Sequence, residues 1–268
     1  MTASLGRRPV VVSPHLDDGV FSLGATIAAN AARGVQARVL TVFGNDPSSD
    51  APARPWDRAC GFNTEGEAAS ARRDEDREAC NLVGAVPEWL PFEDAEYAAE
   101  RSETAVWEVF ASVLSDADCV LVPGFPLAHP DHLWVTSLVL ARRAPHQRVG
   151  LYVEQPYAAW RVIGRGRREW AAADLTLRRG LLNAAAIALR TPAGRALQRP
   201  VTPEPVAPSA SAPTWTATKP GARAGLRKRR AVAAYRSQLE GFGRHSATVM
   251  ALYELGWGGE GLAWLSPG

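Results

Sequence analysis

The sequence has few cysteines, almost no lysine and no long apolar run, and each shortage removes a class of protein. Cys60, Cys80 and Cys119 are its 3 cysteines, far apart and without a CxxC or CxxxC pair. That excludes a disulfide framework and a thiolate metal cage. The longest apolar stretch, GLLNAAAIAL at 180–189, is half of the roughly 20 residues a membrane-spanning helix requires. The opening MTASLGRRPVVVSPHLDD carries two arginines, but Pro14 breaks its apolar run too early for a secretory leader. The expected compartment is a reducing cytoplasm. A helix near 176–190, with Arg178, Arg179 and Arg190 among leucines, is expected to pack on its own domain rather than on a membrane surface. Lysine stands only at Lys219 and Lys228, so nearly all the positive charge is arginine, and the formal net charge is just +2. A balance this near zero gives no footprint for nucleic acid.

What is present is an apolar, strand–helix alternating chain. With 268 residues, 46% of them apolar, it can bury the core of one domain spanning 1–268. PVVVS at 9–13 reads as a buried strand, 19–33 as a helix closed by Gly34, and ARVLTVF at 37–43 as the next strand. That βαβ order predicts an α/β, Rossmann-like three-layer fold on a mostly parallel sheet. Residues 44–69 read as a surface loop and 70–83 as a helix with an exposed, mixed-charge face. A helix over 102–115, a strand over 118–123, a helix over 131–143 and a strand over 148–153 continue the alternation. The Pro/Ser/Thr-rich stretch 199–220 reads as a loop, and 222–268 as a C-terminal helical segment. Within it the helix is predicted over 222–240, and the tail, with Trp257 and Trp264, is expected to pack down.

Two polar clusters stand where strands should end. His15, Asp17 and Asp18 follow the first strand; His129, Asp131 and His132 follow the strand over 118–123. In an open parallel sheet ligands bind outside the carboxyl ends of the strands, so both clusters should meet at one rim. Imidazole and carboxylate suit Zn²⁺ or Fe²⁺, and three protein ligands leave a position open for water. A carboxylate beside such an ion can take a proton from water, and a second histidine can serve the leaving group. Taken singly, either cluster also reads as a turn: Asp17 or Asp18 could cap a helix, and Pro130 with Asp131 could begin one. His146 and His245 lie outside both clusters and read as surface residues.

At these residues the chain resembles the PIG-L/LmbE-like metal-dependent N-deacetylases. The family signature His-Pro-Asp-Asp reads His15-Leu16-Asp17-Asp18 here, and HPDH at 129–132 matches the second signature. RRDEDREACNLVGA (72–85) and KRRAVAAYRSQ (228–238) resemble two further family helices. The resemblance implies a single deacetylase domain, a zinc ion (Fe²⁺ as the alternative) and hydrolysis of an acetamide on an N-acetylglucosamine unit. It implies His15, Asp18 and His132 as metal ligands and Asp17 as the general base. His129 would protonate the leaving amine or steady the oxyanion, and Asp131 would hold an imidazole in place. Arg73 and Asp94 would bind the sugar. Leu16 replaces a proline, and Leu127 stands where some relatives carry a tyrosine that helps the oxyanion; Tyr157 is a candidate to replace it.

Relatives of this kind act on thiol-cofactor precursors, membrane-anchor precursors, aminoglycosides and glycopeptide-antibiotic pseudoaglycones. Trp56, Phe62, Trp160 and Trp215 could line a groove for a large aromatic scaffold, which favours a small-molecule aminosugar glycoconjugate of secondary metabolism, a glycopeptide-antibiotic pseudoaglycone first among them. The rival enzyme readings are an amidase of a mycothiol- or bacillithiol-type conjugate and a phosphoester hydrolase; acetate release separates them. A nucleotide-binding module is disfavoured, since the first turn lacks G-x-G-x-x-G and its adjacent carboxylates would repel a pyrophosphate. The basic run Arg227–Arg230 could bind acidic partners or form a solvated helix face.

Overall fold

The computed structural model describes residues 3–98, 100–163, 213–243 and 245–266. β1 (Pro9–Ser13) is buried along its whole length, and its side chains alternate between the two faces of the sheet. Val11 joins Phe21, Leu23 and Ile27 in one core, while Val10 and Val12 join Phe110, Val135 and Val139 in the other. A strand covered on both faces reads as a continuous apolar run, as this one does. α1 (Asp18–Ala31), β2 (Arg38–Thr41), α3 (Glu65–Val83) and β3 (Val86–Trp89) carry the chain outward on one side of β1. α4 (Glu103–Leu114), β4 (Cys119–Phe125), α5 (Pro130–Arg142) and β5 (Arg148–Val153) build the other side, and α6 (Tyr157–Ile163) follows β5.

The sheet order is β3-β2-β1-β4-β5-β7-β6, with β6 at Trp215–Ala217 and β7 at Gly261–Trp264. The first five strands in that order are parallel, and β7 pairs antiparallel with both β5 and β6. Strand order reverses between β1 and β4, which pair from Pro9↔Cys119 to Val11↔Leu121. The ends of these two strands therefore flank the crevice at the switch point.

The elements depart from the sequence reading in four places. The loop expected over 44–69 contains α2 (Pro55–Ala59), and α3 starts at Glu65 because the Thr64 hydroxyl accepts from Glu67 N (3.1 Å) and caps it. β3, too short for a pattern, was not anticipated. The helix expected over 222–240 is two helices, α7 (Ala222–Ala234) and α8 (Arg236–Phe242), divided at Tyr235 (φ −78°, ψ 63°). β6 lies within the expected 199–220 loop, and the C-terminal segment holds α9 (Ser246–Trp257) and then β7, so it is not helical throughout. Trp264 packs its ring against Arg148 at 3.3 Å. The helix expected near 176–190 lies outside the described residues. Among the described residues no helix is long and apolar enough to cross a membrane.

Candidate metal centre and active-site cavity

The turn after β1 decides what its two aspartates are free to do. Ser13 Oγ accepts the Gly19 N–H (2.8 Å) and donates to the His15 carbonyl (2.5 Å), so it does the work of a helix cap. Asp17 occupies the N-cap position of α1 but makes no side-chain cap bond. Asp18 Oδ2 accepts from His15 N (2.9 Å) within the turn. Asp17 is therefore not consumed as a cap, while Asp18 serves the turn and the cluster together. After β4, His129 caps α5, its Nδ1 accepting the Asp131 N–H (3.2 Å). The neutral ring then carries its proton on Nε2.

Three atoms from these two turns form a triangle. His15 Nδ1, Asp18 Oδ2 and His132 Nε2 are each 3.2 Å from the other two. Ligands bound at ~2.0–2.1 Å around a tetrahedral zinc ion stand about 3.3 Å apart, so the triangle has the dimensions of one face of such a site. Ring nitrogens of His15, His129 and His132 also lie within 4.8 Å of one another, a looser set. The edges through Asp18 fit an ion better and leave His129 to the substrate side.

Each imidazole in the triangle is held from behind. His15 Nε2 meets Asp131 Oδ2 (3.1 Å), and Asp131 in turn accepts from Arg101 Nη1 (2.6 Å) and Ala95 N (3.3 Å). Arg101 lies over the Phe43 ring at 4.2 Å. His132 Nδ1 is hydrogen-bonded to Glu154 Oε2, while Glu154 Oε1 accepts from Leu127 N (2.6 Å). Such partners fix tautomer and ring orientation in metal sites. Sequence reasoning missed both Arg101 and Glu154. Glu154 directly follows β5, at the same rim of the sheet, and that rule could have found it; Arg101 lies in a loop without pattern.

Burial disfavours charge throughout the site, and neighbouring charges decide the outcome. Burial first, then the charge of Asp18, push Asp17 up to about 8. Burial also pushes Asp18 upward, but His132 and His15 overcome it and hold that carboxyl well below the usual range. Burial would lower His15 and His132; Asp131 and Asp18 hold the first well above its usual value, and Asp18 with Glu154 hold the second at about 9. His129, pushed down by burial and by the other two imidazoles, falls to about 3 and is neutral. Protons on His15 and His132 stand where a bound cation would replace them, since metal ligands must be deprotonated. Asp17 Oδ2 is buried and has no hydrogen-bond partner. An orphaned carboxylate oxygen beside a ligand triangle is the kind of unsatisfied group that a water or substrate completes.

Part of this cluster opens into a cavity of about 260 Å³, with Asp18 and His132 buried behind the residues that line it. His15, Asp17, His129 and Asp131 line its floor, and Phe43, Trp56, Tyr157 and Phe242 supply aromatic walls. Of the two residues expected to bind the sugar, Asp94 lines the cavity and Arg73 does not. Arg73 donates to the Gly44 (3.2 Å) and Asn45 (2.6 Å) carbonyls, and Arg72 stands in the cavity instead. Adjacent residues on a helix point about 100° apart, so only one of the two can face it. Arg72 Nη1 pairs with Asp57 (2.5 Å), while its Nε and Nη2 are buried without partners. Of the four expected groove residues, Trp56 lines the cavity, and Phe62 lies under the Arg72 guanidinium (5.5 Å). Trp160 packs behind, against Tyr157 (5.6 Å) and Phe242 (5.2 Å), and Trp215 against Phe125 (6.5 Å). Leu127 is buried at φ 51° and is not among the lining residues.

Residues 10–142 match the sequence profile of PIG-L, GlcNAc-PI de-N-acetylase. The chain belongs to the PIG-L family. It is 34% identical over 200 residues to 2'-N-acetylparomamine deacetylase of Streptomyces fradiae, an alignment covering 67% of this chain and 66% of that protein's length. Its fold is similar to that of an A40926 pseudoaglycone deacetylase (TM-score 0.67, 23% identity, 97% of each chain). It is similar also to a zinc-inhibited form of a teicoplanin deacetylase (TM-score 0.68, 19% identity, 96% of this chain and 97% of that one). The segment matched to PIG-L contains both turns that build the triangle, and the fold likeness extends over the strands that position them.

Proposed function

We propose that this chain hydrolyses the N-acetyl amide of an amino sugar in a small glycoconjugate, releasing acetate and the free amine. The observation that carries the reading is the 3.2 Å triangle of His15, Asp18 and His132 with the orphaned Asp17 oxygen in the same buried site. These three residues would hold a divalent cation, zinc as the first choice and ferrous iron as the second. When bound, such an ion supplies a Lewis acid and lowers the pKa of coordinated water towards ~7.

The chain's own groups supply the proton traffic. Asp17, in the carboxylate form that positive charge held at the triangle would favour, takes a proton from the attacking water at Oδ2. The protonated carboxyl is then an acid of suitable strength to return that proton to the amide nitrogen as the C–N bond breaks. Neutral His129, with its proton on Nε2, donates a hydrogen bond to the developing oxyanion. This favours the oxyanion role for His129 over the acid role. Asp131 keeps His15 turned towards the triangle. Arg72 rather than Arg73, together with Asp94, contacts the sugar hydroxyls from the cavity wall.

Metal analysis of the purified chain and an acetate-release assay on N-acetylglucosamine conjugates test the reading. Asp17→Asn is expected to keep its metal while turnover falls about 10²–10⁴-fold. Near-normal turnover in that variant removes Asp17 as the base.

A further inference from the structure

Arg72 reaches the active-site cavity from α3, and a set of residues behind the cavity wall aims it. Its Nη1 pairs with Asp57 Oδ1 (2.5 Å), a carboxylate on α2 that is 2% exposed. Asp57 itself is not among the lining residues. The Tyr97 hydroxyl donates to the other oxygen, Asp57 Oδ2 (2.5 Å), and accepts from Arg54 N (3.0 Å). Burial, and then Asp57, hold that phenol above its ordinary range, so it stays a donor. The Asp57 backbone carbonyl accepts from Phe62 N (3.0 Å), and the Phe62 ring lies under the guanidinium (5.5 Å). Asp57 thus fixes Arg72 directly along one edge and, through the Phe62 turn, across one face.

Pinning Nη1 leaves Nε and Nη2, the side-on pair of a guanidinium, which meets two oxygens at once. Both are buried and have no hydrogen-bond partner among the described residues. Cys60 stands against the same guanidinium, but a thiol is only a weak acceptor. The partner of Nη1 also decides what the remaining edge recognises. A guanidinium paired with a buried carboxylate has no net charge as a unit, so it donates to neutral oxygens without drawing in an anion. Without Asp57 the same edge would be an anion site. We propose that Asp57 is a positioning residue that sets specificity: backed by Tyr97, it turns the Nε–Nη2 edge of Arg72 to the sugar hydroxyls and cancels its charge, so that the cavity takes an uncharged sugar face in preference to an anion. For the identity of the ligand the proposal rests on the deacetylase reading above.

Calorimetry with N,N'-diacetylchitobiose, on Asp17→Asn so that nothing turns over, gives Kd for this parent and for Asp57→Asn, Arg72→Gln and both together. Each single change is expected to raise Kd about tenfold, the scale of one hydrogen bond to a charged group, and the double change to be no weaker than Arg72→Gln alone. Sodium sulfate at fixed ionic strength should displace the sugar from Asp57→Asn at about tenfold lower concentration than from the parent, and adding Arg72→Gln should remove that gain. A merely structural Asp57 would give neither result. Tyr97→Phe keeps the Asp57–Arg72 pair and should raise Kd about threefold by the same route, so it carries the cycle with Arg72→Gln if Asp57→Asn does not fold. In acetate release without the Asp17 change, the loss should lie in KM, with kcat held within about twofold. An additive double variant, equal sulfate sensitivity, a loss confined to kcat, or unchanged or absent binding throughout overturns the proposal. The expected cycle in Kd, without acetate from the wild-type chain, supports the positioning role and overturns the deacetylase reading; acetate release with an additive cycle does the reverse.

Discussion

His132 has both ring nitrogens committed: Nδ1 to Glu154, Nε2 to the triangle with Asp18 and His15. The Glu154 carboxylate is acceptor-only, so it keeps the His132 proton on Nδ1 and leaves Nε2 free to ligate. Glu154→Gln can still accept from Leu127 N, but it then presents its NH₂ to His132 and drives the proton to the ligand atom. Zinc affinity, measured by competition titration, should fall about 10–100-fold. Unchanged affinity would show that another group sets the tautomer. At this scale the meeting of the two histidine turns was readable, because each is a short local motif at a strand end. Arg72 against Arg73 was not, because two adjacent arginines differ only in helix phase, and phase needs the packed helix. Glu154 acts across 22 residues of chain, through a neighbouring strand that no local pattern announces.

The helices show what local charge patterns conceal. The run Arg227–Arg230 reads as a solvated basic face, yet Lys228 within it is buried against Glu254 and Glu260 (2.7 Å to the latter). Glu260 also accepts from Ala25 N (2.8 Å) and Thr26 N (2.7 Å), so one lysine joins α7, α9 and α1. Removing it leaves buried Glu260 and half-buried Glu254 without their cation. Lys228→Met should lower stability by about 3–5 kcal/mol in denaturant titrations. A loss below about 1 kcal/mol would mean that the carboxylates are accommodated without it. The break at Tyr235 was equally hidden. Helix propensity continues through AVAAYRSQ, but the break lets the Tyr235 hydroxyl donate to Asp76 (2.6 Å) and Ser237 N donate to Glu75 (3.0 Å). Tertiary bonds override a local preference worth a few tenths of a kcal/mol per residue.

Across the whole molecule, the parallel centre of the sheet was legible because β-branched runs alternate with helices, and that order leaves few topologies. The antiparallel edge was not, since β6 and β7 find each other across 46 residues without a turn signal. Asp76 ties this architecture to pH. Its carboxylate, 1% exposed, accepts from Tyr235 and from Trp89 Nε1 (2.7 Å), joining α3, β3 and the α7–α8 break. Burial raises it to about 6 against the hydrogen bonds that lower it. From about pH 4 to 6 the folded chain keeps a proton that the unfolded chain has lost, so this group makes stability fall as pH rises. The fall amounts to about 3 kcal/mol and levels off above the folded value. Asp76→Asn should flatten that part of the pH–stability curve; an unaltered slope assigns it to other groups. The segment after β3 imposes a different constraint. Asp94 and Glu96 face the cavity from it, while Ala95 N and Arg101 from the same segment grip Asp131 behind His15. Grafting a relative's version of this stretch would therefore loosen the hold on Asp131 and His15 in the same cut, so engineering here must keep Ala95 and Arg101 in register.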